Sequence, residues 1–187
     1  MSNNHLVNLE IARCYAKGKR DELWVAELLT ETCGGTWEEA TRMEDRNEHI
    51  DFWWQSPRGG KLGIDVKGKR RHKRGDIESD GSIHWIEYIN VQGDMGWAFG
   101  LMDYIAFITD TSILFVKPSK IQTYLIPLIS GKETVYETPD EFYIPYQRRS
   151  WNREDVIFKV PTSDLIKIAH FKIDYLPIYE EENIING

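Results

Sequence analysis

Apolar residues first recur at helical spacing near the N-terminus. They recur more strongly over 21–32, where Leu23, Ala26, Leu28 and Leu29 form a stripe and Gly34-Gly35 supplies a stop. This pattern predicts a short helix over 6–16 and a longer one over 21–32. Downstream the period changes to two. Segments 49–55 and 61–67 alternate apolar with polar, and Ser56-Pro57-Arg58-Gly59-Gly60 between them is turn chemistry, which predicts a hairpin. In the first arm Ile50, Phe52 and Trp54 share one side, with Asp51 and Trp53 on the other. In the second arm Leu62, Ile64 and Val66 oppose Asp65 and Lys67. Packing both apolar triplets against one core brings Asp51, Asp65 and Lys67 onto a common face.

Further strands are predicted over 83–92, 104–109, 113–117 and 156–160. Helices are predicted over 119–129, capped by Ser119 and limited by Pro127, and over 162–170. The glycine-rich stretch 92–100 reads as an irregular turn, and 132–152 has no clear period. Strands and helices mixed in this order predict an α/β or α+β domain, a mixed central β-sheet flanked by helices. No repeat, low-complexity run or long linker divides the chain. One domain over 1–187 is expected, with a core at about 20–118 and a C-terminal extension at about 119–187.

Composition adds that the chain can bury a core, since 41% of its residues are hydrophobic and seven are Trp. No apolar run approaches the roughly 18 residues a membrane helix needs, and the N-terminal stretch lacks the apolar core of a signal peptide. The expectation is a soluble, cytoplasmic protein with no membrane partner. Cys14 and Cys33 lack zinc-site spacing and are expected to be free thiols.

The net charge of -7 argues against a polyanion partner until its distribution is considered. From Arg58 to Arg74 there are eight Lys or Arg residues and one acid, Asp65. A patch this concentrated on an acidic body suggests a local contact with a polyanion. Lys69, Arg70, Arg71, Lys73 and Arg74 are its candidate nucleic-acid-binding residues.

Two carboxylates converging from adjacent strands are hard oxygen ligands suited to Mg2+ or Mn2+, and Asp51 and Asp65 have that arrangement. Lys67 on the same face can orient an attacking water or neutralise charge building on a phosphate. The Val66 backbone carbonyl is a further candidate ligand. Without a ligand, the same residues form a cross-strand Asp51–Lys67 salt bridge on a solvated sheet face, worth about 0–1 kcal/mol. Trp53, Trp54, Trp85 and Tyr88 are candidate base-stacking residues, though core packing also accounts for them. Asp103 is read as a cap or turn acid, and His72 and His84 as solvated. Serine-, zinc- and cysteine-hydrolase motifs are absent from the sequence.

HIDFWW followed by KLGIDVKGK resembles the PD-(D/E)XK nuclease superfamily, whose motif is an Asp at a strand end followed by Asp/Glu-X-Lys in the next strand of a hairpin. Ile50 stands where the motif name has proline. The resemblance covers about residues 20–70, and the element order is compatible with it over about 20–118. It implies a restriction-endonuclease-like core and a Mg2+- or Mn2+-dependent endodeoxyribonuclease, with Asp51, Asp65 and Lys67 in the site. Members often add an acid from the preceding helix. Aligning DELWVAELLTETCGG with the helix of resolvase-like members selects Glu22 for the cluster, with Glu27 and Glu31 as rivals. The resemblance further implies DNA as partner, branched or single-stranded forms included, a homodimer, and a phage or mobile-element setting. The alternative is a non-catalytic nucleic-acid- or protein-binding module on the same fold.

Overall fold

The computed structural model describes residues 3–73, 76, 78–147 and 154–176, with side chains from 16 onward. Its first element is one continuous helix, α1 (Asn3–Cys33), in place of the two expected. The Gly18 region does not interrupt it, because one glycine costs a helix only about 1 kcal/mol. Gly34 and Gly35 end it as expected, both with positive φ (76° and 94°).

Two unexpected elements follow, β1 (Thr36–Glu39) and α2 (Arg42–Glu48), before the predicted hairpin of β2 (Phe52–Gln55) and β3 (Lys61–Lys67). The chain continues through β4 (Ile83–Ile89), a 3-10 turn at Trp97–Phe99, β5 (Tyr104–Ile108) and β6 (Ser112–Val116). Next come α3 (Pro118–Tyr124), β7 (Tyr146–Gln147), β8 (Val156–Pro161), α4 (Thr162–Ile168) and β9 (Phe171–Asp174). The cap of α3 is Lys117 rather than Ser119, with Pro118 at the first helical turn, where its missing N–H is not needed.

A six-stranded sheet runs β1-β2-β3-β5-β6-β9, and a three-stranded sheet runs β4-β8-β7. All pairs in the large sheet are antiparallel except β3–β5, so the fold is α+β with a mixed central sheet. Its two faces carry separate cores. On one side Val25, Ala26 and Leu29 of α1 pack on Phe52, Trp54, Ile64, Val66, Ala106 and Phe115. On the other, Ile105, Phe107, Leu114 and Val116 meet Ile86 of β4, Phe158 and Val160 of β8, Ile121 of α3 and Leu165 of α4. Strand β3 therefore lies between two buried layers, and its alternation sends Ile64 and Val66 to one core and Asp65 and Lys67 to the other side.

Candidate active site

Asp51 sits in a bend just before β2, two residues after the left-handed His49 (φ 58°) that ends α2. That bend corrects the expected alternation. Ile50 joins the core beneath the second sheet while Phe52 and Trp54 join the α1 core, so the three do not point one way. Residues Phe52 and Ile64 are paired, and the Asp51 amide donates to the Ile64 carbonyl at 2.8 Å, which puts Asp51 beside Asp65 at the strand end. Oδ2 of Asp51 accepts from the Val66 amide at 2.7 Å. The side chain is thereby fixed to the strand that carries the second acid.

Asp65 is 3% exposed, and its Oδ1 accepts from Lys67 Nζ at 2.6 Å. Its Oδ2 is fully buried with no partner among the described residues. Burial pushes its carboxyl up to about 7, the nearby Lys67 ammonium opposes that rise, and Asp51 adds to it. The ammonium of Lys67 also lies over the Trp97 ring, 4.9 Å from its centre. The expected solvated Asp51–Lys67 salt bridge is thus replaced by a partly buried Asp65–Lys67 pair, because the second sheet and the Trp97 turn cover much of this face.

Half-buried Glu22 of α1 and Asp51 line one cavity. Both carboxyls are pushed above the ordinary carboxylate range, chiefly by burial, and in Glu22 the negative charge of Asp51 raises it further. The rivals Glu27 and Glu31 are exposed. Lys19, three residues before Glu22, holds it at 2.8 Å and bridges to Glu39 of β1 at 2.9 Å. Among the described residues no three His, Cys, Asp or Glu side chains form a ready metal cage. The donors still fit magnesium, which keeps several waters and takes only one or two carboxylates. The orphaned Oδ2 of Asp65 and the mutual repulsion of Asp51 and Asp65 both favour a hard cation there.

The basic loop is pinned to acids of its own chain. Lys69 pairs with Asp110 (2.9 Å), Lys73 with Asp140 (2.7 Å) and His72 with Asp80 (2.8 Å). Arg71 donates to the Asp76 carbonyl, the Arg70 backbone bridges to Asp80, and Arg74 lies outside the described residues. Asp103 accepts from the Gly63 amide at 2.8 Å, tying β3 to the entry of β5.

His84, expected to be solvated, is 1% exposed against Phe107, with neither ring nitrogen partnered among the described residues. The proposed stacking residues have structural tasks instead. The indole N–H of Trp53 donates to Glu44, that of Trp54 to the Gly34 carbonyl and that of Trp85 to the Arg71 carbonyl, while Tyr88 packs on Phe99. Sequence reasoning missed Lys19, Trp37 and Trp97. Only Lys19 had a local signal, its three-residue offset from Glu22.

Comparison of the chain with protein-family models, curated proteins and solved structures gives no match. Among the described residues no helix is long and apolar enough to cross a membrane.

Proposed function

We propose that the chain is a magnesium- or manganese-dependent nuclease that hydrolyses DNA phosphodiester bonds with water, without a covalent enzyme intermediate. The observation that carries this reading is Asp65, buried with one oxygen on the Lys67 ammonium and the other unpartnered beside Asp51. A desolvated carboxylate left this way destabilises the fold, and a bound cation supplies the missing counter-charge. The resemblance of HIDFWW and KLGIDVKGK to the PD-(D/E)XK pattern supports the same chemistry.

In this reading Asp51, Asp65 and the Val66 carbonyl hold the ion, and Glu22 completes the acidic cluster. A divalent ion, when bound, supplies Lewis acidity toward the phosphate and a more acidic water. Lys67, fixed by Asp65 and Trp97, presents its ammonium to the nucleophilic water and to the charge accumulating on the phosphoryl oxygens. The leaving 3′ or 5′ oxygen takes a proton from solvent. Lys69, Arg70, Arg71, Lys73 and Arg74 contact the backbone. For Lys69 and Lys73 this means exchanging exposed carboxylate partners for phosphates, a change of small cost because such surface pairs contribute about 0–1 kcal/mol. A homodimer is part of the proposal on resemblance alone.

The test is cleavage of duplex, single-stranded and branched DNA, with matching RNA, in manganese. Asp65→Asn and Lys67→Ala are each expected to abolish cleavage while DNA affinity in calcium stays largely intact, because these groups act on the ion and the transition state. Wild-type rates in either variant would overturn the assignment, and binding without any cleavage by the parent protein would favour the binding module.

A further inference from the structure

Between α1 and the β1–β2 edge of the large sheet lies a cavity of about 240 Å³. Leu23, Trp37 and Phe52 form its apolar walls, and Lys19, Glu22, Glu39 and Asp51 its polar ones. A larger cavity of about 650 Å³ between α3 and α4 shares no residue with the candidate acids. The smaller one includes two of them, Glu22 and Asp51.

Its size and walls restrict what it can take. Sites for small organic ligands typically run from about 300 to 1,000 Å³, so this one suits a single flat ring rather than an extended molecule. Trp37 offers an aromatic surface, held edge-on to Phe52 with ring centres 6.3 Å apart. Its indole N–H has no acceptor among the described residues, unlike those of Trp53, Trp54 and Trp85. Glu39 gives Oε1 to Lys19 and is otherwise well exposed, which leaves its other oxygen to accept from a ring amino group. Lys19 tempers the local negative charge.

We propose that this cavity receives the base of an unpaired nucleotide adjoining the scissile phosphate, so that the substrate is DNA with a single-stranded segment at the cut. The inference rests on the nuclease reading for the position of the phosphate. With the reacting phosphate at Asp51 and Asp65, the neighbouring nucleotide is the group that reaches a cavity walled by Asp51. A base inside continuous duplex must first be unstacked and unpaired, at a cost of a few kcal/mol, whereas an unpaired base enters freely. The acidic rim favours bases that present exocyclic amino groups, namely cytosine, adenine and guanine, over thymine, which has none to donate to a carboxylate.

The test uses oligonucleotides carrying 2-aminopurine at each position of a single-stranded segment, bound in calcium so that no turnover intervenes. One position should change fluorescence on binding to the parent protein. Trp37→Ala should abolish that change and weaken single-strand affinity about 10-fold, in line with loss of one stacked base, while affinity for the fully paired duplex stays within about two-fold. Trp37→Phe should retain most of the signal, and thermal unfolding identifies a variant that has lost its fold. Equal single-strand binding by parent and Trp37→Ala, a parallel loss on duplex, or no single-strand binding by the parent would each overturn the proposal. A Trp37-dependent signal without manganese-dependent cleavage would instead overturn the nuclease reading and leave the base-binding cavity standing.

Discussion

Lys67 is held from two directions. Asp65 takes its ammonium at 2.6 Å, and the Trp97 ring lies 4.9 Å beneath it. Trp97 comes from the glycine-rich stretch between β4 and β5, which reads in the sequence as a plain turn. Gly96 explains its accuracy. A Cβ there would sit 2.4 Å from the Glu87 carbonyl oxygen, so only glycine lets the turn lie flat on β4 and deliver Trp97 under the lysine. Cation–π attraction in a partly desolvated setting contributes about 0.5–2 kcal/mol. Trp97→Leu is therefore expected to lower kcat about 10-fold with KM nearly unchanged, and Trp97→Phe to recover much of the loss. A proportional fall in both parameters, or no fall, would show that the ring only fills space. In the proposed nuclease Trp97 would act as a positioning residue for Lys67. Nothing in GDMGWAFG reveals this locally, because the contact closes across thirty positions of chain.

The hairpin was legible because β2 and β3 are apolar segments joined by a turn containing Pro57, Gly59 and Gly60, and β3 spans the same residues in sequence reading and structure. The elements that escaped are those that bury little. Helix α2 has no buried residue and so no apolar stripe, and β1 contributes only Trp37 to the interior. Yet α2 had a signature of another kind. Thr41 and Glu44 form a capping box, in which the Glu44 amide donates to Thr41 Oγ1 at 3.3 Å and the Thr41 amide donates to Glu44 Oε2 at 2.7 Å. Glu44 Oε1 then accepts from the Trp53 indole at 3.0 Å, joining the helix start to β2. This short helix sets the bend that aims Asp51. Thr41→Ala should lower stability by about 1 kcal/mol, read as a shifted urea midpoint at constant m-value, and should also weaken divalent-ion binding. A stability loss with ion affinity intact would separate the cap from the site.

At the scale of the whole molecule, the buried Asp65 and His84 respond to pH in opposite senses. Asp65 has its folded value pushed up to about 7 from an ordinary 3.8 by burial, so between those values the folded state holds a proton that the unfolded chain has released. Its contribution to stability falls as pH rises through that range. His84 has its folded value pushed down to about 4 from 6.5, again by burial with the Arg70 charge adding to it. There the unfolded chain holds the extra proton, so stability falls as pH drops from 6.5 toward 4. At about 1.4 kcal/mol per pKa unit each effect amounts to a few kcal/mol, and over pH 4 to 6.5 they oppose. The two contributions offset each other there in the metal-free protein, and the raised carboxyls of Glu22 and Asp51 add a decline as pH rises. His84→Phe should expose a decline with rising pH, and Asp65→Asn a gain. Equal profiles in all three proteins, followed by urea unfolding at several pH values, would contradict the burial of both groups.

The parallel pairing of β3 with β5 also has a consequence in time. All of residues 68–103, including β4 in the other sheet, must be laid out before Ile64–Lys67 can align with Tyr104–Phe107. Closing such a crossover costs chain entropy early and is repaid late, which slows folding relative to local hairpin formation. Asp51, Asp65 and the β2–β3 hairpin can therefore assemble early in folding, while Trp97 arrives with the crossover. On this order the two acids come together before the ring that fixes Lys67 docks, so in the proposed nuclease catalytic competence would belong to the last steps of folding.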